Sequence, residues 1–199
     1  HQRGTDQAKE FYQRYNEYGY QSSVERPGVV LSQVLTQDAS NRVTLTRLGN
    51  GLTDSNTFNP YSGRMVAGMV KSATNEARLQ EGYTYDPLGN VLTRNQQWDT
   101  SGFDETFAYE ELNRLWASTV DGQPQKTFSY DAAGNLIIKT GLGYYIYPTQ
   151  GAGAVRPHAV QSIANIDGTF EYDDNGNLLK GAGRDLTWTS FDMTVRITK

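Results

Sequence analysis

Along most of the chain, short runs of alternating apolar and polar residues are separated by turn-forming residues. In residues 127–139, Phe128 and Tyr130 lie two positions apart, an Asp-Ala-Ala-Gly-Asn segment follows, and Leu136 begins the next apolar run. Residues i and i+2 of a strand share one face of a sheet. Asp accepts hydrogen bonds from backbone N–H groups in turns, and Gly adopts the left-handed conformation that closes them. The pattern therefore predicts a β-hairpin.

The same pattern occurs four times between residues 83 and 178. Each copy has two aromatic residues two positions apart, then an acidic residue, then Gly or Asn three positions later. The second aromatic residues, at positions 85, 109, 130 and 172, are 24, 21 and 42 residues apart, so the last gap predicts a degenerate copy around Tyr145 and Tyr147. The residues that define the copies are Tyr85, Asp86, Gly89, Tyr109, Asn113, Tyr130, Asp131, Gly134, Tyr172, Asp173 and Gly176.

Weaker copies extend this array in both directions, at residues 15–24, 36–46, 58–66 and 191–197. We divide the chain into degenerate repeats over residues 1–80 and clear repeats over residues 81–199, within one continuous array that has no sharp boundary. A lone hairpin is barely stable and cannot bury its aromatic face. Consecutive hairpins are therefore expected to pair edge to edge, which predicts an all-β protein.

Two segments are candidates for short helices. Residues 5–15 and 72–82 each combine helix-forming residues with a plausible N-cap, Thr5 or Ser72. The second segment lies between predicted strands and fits a long hairpin arm equally well.

Composition supports a sheet that is held together by aromatic rings. The 199 residues are 37% hydrophobic and include 13 Tyr, 7 Phe and 3 Trp, which are types that favour strands. The net charge of −4 and the scattered Lys and Arg residues argue against a nucleic-acid-binding surface. No apolar run approaches the roughly 20 residues of a membrane span. The absence of Cys excludes disulfides, thiolate metal sites and a cysteine nucleophile.

The repeated pattern Tyr-Asp-x-x-Gly-Asn/Arg-Leu resembles the YD repeat of the Rhs family, which includes the B and C components of bacterial Tc toxins and the animal teneurins. Residues 156–197 are especially similar to bacterial Rhs and Tc toxin proteins, in which Pro-His-Ala-Val precedes a YD unit and a Trp-Thr-x-Phe unit. The resemblance covers residues 15–199. It implies a curved, spiralling sheet of consecutive antiparallel hairpins that forms part of a hollow β-shell around a C-terminal toxin or effector.

The resemblance implies a structural role without enzymatic activity. The implied partners are the remainder of the parent shell and the enclosed toxin segment, and the implied localisation is secretion or display at a bacterial surface. Many family members carry a self-cleaving Asp-Pro-x-Gly-Arg element. Here Asp86-Pro87 continues as Leu88-Gly89 within an ordinary repeat, so self-cleavage is not predicted. Because the chain begins with His1, we expect it to be a piece of a longer protein.

The tryptophans support an alternative function. Trp98, Trp116 and Trp188 could stack against sugar rings in a carbohydrate- or protein-binding repeat module at a cell surface. The same kind of ring is also what a stacked sheet buries. Aromatic residues at identical offsets from the turn in every copy favour the structural role.

No residue pattern identifies a catalytic, cofactor or metal site. His158 is the one internal histidine, and no Cys or further internal His accompanies it to bind zinc. The Asp-x-Asn-x-Asn spacing from Asp173 is that of calcium ligands, but Leu178 and Arg184 replace the Gly and Glu of an EF-hand. A looser calcium site among turn carboxylates stays open on spacing alone. We predict no catalytic residue, no cofactor and no metal.

Overall fold

The computed structural model of the protein describes residues 10–199, and every regular element in that range is a β-strand. No helix in that part of the chain has the length and hydrophobicity to cross a membrane. The 18 strands are β1 (Tyr12–Tyr15), β2 (Gln21–Arg26), β3 (Val29–Gln37), β4 (Val43–Leu48), β5 (Thr53–Phe58), β6 (Met65–Lys71), β7 (Ala77–Tyr85), β8 (Val91–Trp98), β9 (Ser101–Tyr109), β10 (Leu115–Val120), β11 (Lys126–Tyr130), β12 (Leu136–Lys139), β13 (Gly143–Ile146), β14 (Ser162–Ile163), β15 (Glu171–Tyr172), β16 (Leu178–Gly181), β17 (Arg184–Trp188) and β18 (Thr194–Thr198).

The chain divides into two compact units, one that ends at Thr106 and one that begins at Phe107. In the first unit, β1 to β8 and the part of β9 up to Thr106 pair in chain order and antiparallel. In the second unit, β10 to β14 pair in the same way, and β15 to β18 form a four-stranded sheet. The predicted all-β fold of consecutive antiparallel hairpins is confirmed. The division between residues 80 and 81 separates degenerate from clear repeats in the sequence, and it stays a prediction.

One turn geometry recurs between the paired strands. In the turn that begins at Asp131, Asp131 N donates to Asn135 O at 3.0 Å, Gly134 N donates to Asp131 O at 3.1 Å, and Gly134 has a φ of 89°. Three residues lie between Asp131 and Asn135, and hairpin loops of this length typically combine a type I turn with a left-handed residue after it. Turns with the same two backbone bonds begin at Asn16, Asp38, Leu48, Ser72, Asp86, Glu110, Asp173 and Thr189.

Both helix predictions are wrong within residues 10–199. Tyr12–Tyr15 form β1, while residues 5–9 of that segment lie outside the described range. Ser72 begins a hairpin turn in which Asn75 has a φ of 67°, and β7 starts at Ala77. Pairing with β6 and β8 outweighs the weak helix propensity of this segment. The alternative interpretation of residues 72–82 as a long hairpin arm is confirmed.

A β-bulge lies beside the aromatic residue that precedes these turns. In the β7–β8 hairpin, Thr84 pairs with Thr93 but Tyr85 pairs with Val91, which leaves Leu92 as an extra residue. A bulge bends its strand and re-aims the neighbouring side chains. The same register shift occurs directly before Tyr15, Phe58, Tyr130, Tyr172 and Trp188.

The sheets have little buried core. Among the hydrophobic residues that the structure describes, only Ala117 and Ile163 are buried, with 1% and 8% exposure. Most strand residues are half-buried. Backbone pairing and contacts between neighbouring strands therefore hold the sheets together, in place of a packed interior.

Candidate functional site

The aromatic residue before a repeat turn donates a hydrogen bond to the preceding hairpin. The Tyr85 hydroxyl donates to the carbonyl oxygen of Met65 at 2.6 Å, and the Tyr130 hydroxyl donates to that of Leu115 at 2.8 Å. We call the donors of this kind anchor residues. Two others precede such turns: Tyr172, which donates to Val160 at 3.0 Å, and Trp188, whose indole N–H donates to Leu178 at 2.8 Å. Tyr147 also donates in this way, to Leu136 at 3.0 Å, but it precedes the irregular connection between β13 and β14.

The acceptor carbonyl also occupies a regular position. Met65, Leu115, Leu136 and Leu178 each directly follow the last residue of the preceding turn. A phenol hydroxyl or an indole N–H can reach this carbonyl, whereas a Phe ring carries no donor. This explains why the second aromatic residue of the clear repeats is Tyr, although the first can be Phe.

The residues that define the repeats take equivalent places in these hairpins. The tyrosines end strands β7, β9, β11 and β15, and the acidic residues that follow them begin the turns. The left-handed residues of the turns are Gly89 (φ 98°), Asn113 (φ 60°), Gly134 (φ 89°) and Gly176 (φ 90°).

The Asp side chain organises the turn that it begins. Asp131 accepts a hydrogen bond from the Asn135 backbone N–H at 2.8 Å and another from the Asn135 side-chain amide at 2.9 Å. Because the two residues bind each other twice, the loop between them is fixed. The equivalent pairs are Asp86 with Asn90 and Asp173 with Asn177.

These hydrogen bonds favour the ionised carboxylates. The side-chain amide of Asn90, with backbone N–H groups of the turn, lowers the pKa of Asp86, and Asn177 lowers the pKa of Asp173 in the same way. Partial burial alone would raise the pKa of Asp131, but the hydrogen bonds from the Asn135 side chain and the turn backbone lower it overall. The turns are therefore built around charged carboxylates.

In other repeats an arginine replaces this asparagine and reaches the next hairpin. Arg114 forms a two-pronged ion pair with Glu110, donates to the carbonyl oxygen of Asp131 at 3.1 Å, and lies 4.8 Å from the ring centre of Tyr130. The ion pair holds the arginine in its own turn, and the other two contacts join that turn to the next hairpin. Arg64 repeats the arrangement with the Tyr85 ring at 5.8 Å and the Leu88 carbonyl oxygen at 3.3 Å.

His158 belongs to this turn network. The Asn135 amide nitrogen donates to Asp131 and also to the Pro157 carbonyl oxygen at 3.2 Å, while the amide oxygen lies 2.7 Å from His158 Nδ1. An amide oxygen can only accept, so Nδ1 carries a proton. His158 therefore fastens the connection between β13 and β14 to the turn after β11.

The three tryptophans lie in different surroundings. Trp98 ends β8, is 41% exposed, and meets Phe103 edge to face with 5.9 Å between ring centres. Trp116 lies in β10 and is 43% exposed. Trp188 is an anchor residue, and its indole N–H donates to the Leu178 carbonyl oxygen within the sheet. Ligand stacking stays a prediction for these residues.

Within residues 10–199, no group of three or more His, Cys, Asp or Glu side chains is arranged to hold a metal ion. The Asp173 carboxylate, which begins the calcium-like spacing, accepts hydrogen bonds from Asn175 and Asn177 instead.

Two kinds of functional residue are not predicted from the sequence. One kind is the linking arginine, Arg64 or Arg114, for which the alternation of Asn and Arg after the left-handed turn residue is the signal in the sequence. The other kind is the anchor residue Trp188, which is not predicted because the last weak copy is assigned to residues 191–197 with Phe191 as its aromatic residue. Phe191 is 71% exposed and lies inside the turn, where Asp192 takes the left-handed position with a φ of 61°.

Solved structures of Tc toxin complexes share this fold. In the crystal structure of TcdB2–TccC3–Cdc42, one chain aligns with this protein at a TM-score of 0.68 and 18% identity. The alignment covers 95% of this protein and 11% of that chain. A Photorhabdus luminescens Tc holotoxin pore with a mutated TccC3 gives the same coverage and TM-score at 17% identity. TcdB2–TccC3–TEV gives a TM-score of 0.65 at 16% identity, again with 95% and 11% coverage.

The chain thus spans about a tenth of the length of the chains that it matches. No protein-family profile and no curated protein sequence matches it. The likeness to the Tc toxin chains establishes the fold.

Proposed function

We propose that this chain is a YD-repeat segment of a bacterial Rhs- or Tc-toxin-like shell that encapsulates a C-terminal toxin or effector. In the parent protein, the hairpins form a curved, spiralling sheet and act as a wall. The segment is a barrier and not a catalyst. Its partners are the remainder of the shell and the enclosed segment, and the parent protein is secreted or displayed at the bacterial surface.

The observation that carries this proposal is the fold match to Tc toxin chains over 95% of the chain. The anchor residues support it on physical grounds. A wall that is one sheet thick cannot rely on a packed interior. The hydrogen bonds by which the anchor residues hold the preceding hairpin are another source of stability.

The decisive experiment uses the complete parent protein. Limited proteolysis of the native protein should leave a C-terminal segment intact, and that segment should be digested once the fold is opened with denaturant. The same segment, expressed alone, is the matched control for intrinsic protease resistance. Equal digestion rates for the enclosed and the isolated segment would contradict encapsulation, as would a parent gene that ends shortly after the codon for Lys199.

The exposure of Trp98 and Trp116 favours a second function, binding of carbohydrate or a protein at a cell surface. Exposed aromatic rings provide the flat apolar surface on which sugars stack. A glycan array with Trp98→Ala and Trp116→Ala tests it. Sugar binding that is lost in either variant with unchanged melting temperature would favour this function, whereas no binding by the unmodified chain would contradict carbohydrate recognition.

A further inference from the structure

Two turns of the protein carry an Asn-Gly step at the same position. Asn50-Gly51 lies in the turn between β4 and β5, and Asn175-Gly176 lies in the turn between β15 and β16. In both turns the glycine N–H donates to the carbonyl oxygen of the first turn residue, at 2.9 Å and 3.0 Å, and the glycine is left-handed, with a φ of 85° or 90°. Both asparagines are exposed. The backbone therefore treats the two steps alike.

An Asn-Gly step is chemically reactive because glycine has no side chain that shields its backbone nitrogen. This nitrogen loses its proton and attacks the amide carbon Cγ of the asparagine. A C–N bond forms, the Cγ–Nδ2 bond breaks, and Nδ2 takes up a proton and leaves as ammonia. Water then opens the five-membered imide at either of its two carbonyl carbons. Asparagine and water are thus converted to ammonia and either aspartate or isoaspartate.

The side chain of Asn50 is held in a way that favours this attack. The Leu52 backbone N–H donates to Asn50 Oδ1 at 3.2 Å. Attack on Cγ places negative charge on this oxygen, and a donor that already points at it stabilises that charge. The turn begins with Leu48, whose side chain carries no acceptor that could compete for the Leu52 N–H. This N–H is therefore left to the reacting group.

The side chain of Asn175 is held in a way that opposes the same attack. Its turn begins with Asp173, whose carboxylate accepts the equivalent backbone N–H, that of Asn177, at 2.8 Å. The Asn175 amide nitrogen donates to the carboxylate of Asp192 at 3.0 Å, so the nitrogen that would leave is held in place. The carboxylates beside this step also oppose negative charge on the Gly176 nitrogen and on the attacked amide oxygen.

We propose that Asn50 is a site of spontaneous deamidation and that the contact with Asp192 protects Asn175 from the same reaction. At the β4–β5 turn the product adds a negative charge, and isoaspartate also lengthens the main chain by one CH₂. The imide has no N–H at Gly51, so the 2.9 Å bond to the Leu48 carbonyl oxygen is lost and the turn is loosened. This reaction does not depend on encapsulation, so each proposal can fail without the other.

Peptide mass spectrometry of the folded chain, incubated in neutral buffer, measures the deamidation rate at each step. The rate at Asn50 should be about two- to tenfold higher than at Asn175, the factor that one hydrogen bond at the reacting group provides. The same chain unfolded in urea is the matched control, and there the two rates should be similar. Equal rates in the folded chain, a faster reaction at Asn175, no reaction at Asn50, or a difference that persists in urea would overturn the proposal.

Two variants, each checked for folding by circular dichroism, test the two side-chain contacts separately. Asp192→Gly removes the acceptor but tolerates the φ of 61° at this position, so Asn175 should react about two- to tenfold faster while the rate at Asn50 stays the same. Leu48→Asp supplies the carboxylate that Asp173 provides in the other turn, so it should take the Leu52 N–H and slow Asn50 by a similar factor. An unchanged rate at Asn175 in the first variant, or at Asn50 in the second, would show that the contact does not control the reaction and would overturn the proposal.

Discussion

The hydroxyl of Tyr130 donates a 2.8 Å hydrogen bond to the carbonyl oxygen of Leu115, fifteen residues earlier and in the preceding hairpin. This bond does not belong to the backbone ladder between strands. It ties the end of β11 to the start of β10 at the side where the repeat turns lie. One side-chain oxygen therefore joins two consecutive repeats.

The first prediction concerns this hydroxyl. Tyr130→Phe and Tyr172→Phe should each lower the free energy of unfolding by about 0.5–1.5 kcal/mol, because each removes one hydrogen bond and keeps the ring. Tyr61→Phe, at an exposed position, is the control and should change little. Denaturant unfolding monitored by circular dichroism measures all three. Wild-type stability in both anchor variants would mean that the bond contributes nothing.

The second prediction compares two turn glycines. Gly134→Asn should cost only the modest strain of an Asn at positive φ, because a Cβ there meets open space and Asn113 adopts a left-handed conformation in its own turn. Gly89→Asn should cost more, because the Arg64 guanidinium occupies the space of the added Cβ and would have to leave the Tyr85 ring. The melting temperatures of the two variants measure this difference. An equal decrease in melting temperature for both variants would contradict the role of Arg64.

Backbone strain at Gly134 gives the third prediction. Gly134→Val should destabilise the chain by roughly 1–2 kcal/mol or more, because a left-handed conformation is costly for L-residues and most of all for β-branched ones. Gly153→Val is the matched control, since a Cβ at Gly153 also meets open space and no left-handed φ is required there. A similar loss in both variants would indicate a cause other than the turn conformation.

The fourth prediction is a loss of stability in acid. The pKa values of Asp86, Asp131 and Asp173 are lower in the folded chain than their ordinary values. The ionised carboxylates therefore stabilise the fold fully above the ordinary Asp pKa of about 4, and this contribution disappears as the pH falls through the lowered folded pKa values. Unfolding experiments between pH 6 and pH 2 should show stability falling at the acid end.

A variant assigns this effect to a particular turn. Asp131→Asn should be less stable than the wild type at pH 6, and the difference should shrink as the pH falls, because protonation weakens the wild-type turn as well. Asp121→Asn, in an exposed turn, serves as the control. A stability difference for Asp131→Asn that stays constant from pH 6 to pH 2 would contradict the role of the charge.

The fifth prediction concerns the contact between Arg114 and Tyr130. A double-mutant cycle with Arg114→Gln and Tyr130→Leu should give a coupling energy of about 0.5–1 kcal/mol, since the guanidinium lies 4.8 Å from the ring centre. Arg114→Lys keeps the charge but cannot hold Glu110 in a two-pronged pair, so it should restore only part of the stability. Additive single-mutant effects would mean that the two residues do not interact.

Much of the local structure could be predicted because it depends on short segments. An aromatic residue two positions before Tyr130, a carboxylate at Asp131 and a glycine at Gly134 specify a strand, a turn and the next strand with few distant contacts. The same reasoning failed at residues 72–82. Their composition permits a helix, and only the neighbouring strands β6 and β8 make the segment a strand.

The roles of Trp188 and Arg64 could not be predicted in this way. A single tryptophan in the sequence gives no sign of whether its ring contacts a ligand or the preceding hairpin. The structural role of Trp188 becomes clear only from the 2.8 Å distance between its indole nitrogen and the carbonyl oxygen of Leu178. In the sequence, Arg64 likewise resembles any other polar residue. Only the structure shows that it contacts the ring of Tyr85 in the next hairpin.

The amino-acid sequence alone thus determined the hairpins, the turn residues and the repeated order of the strands, because these depend on side-chain alternation and on backbone conformations within a few residues. The tertiary structure decided which carbonyl each anchor residue binds, which arginine contacts which ring and where the bulges place them. Those contacts join residues 10 to 24 positions apart, and their distances are set only when neighbouring strands pair in one register.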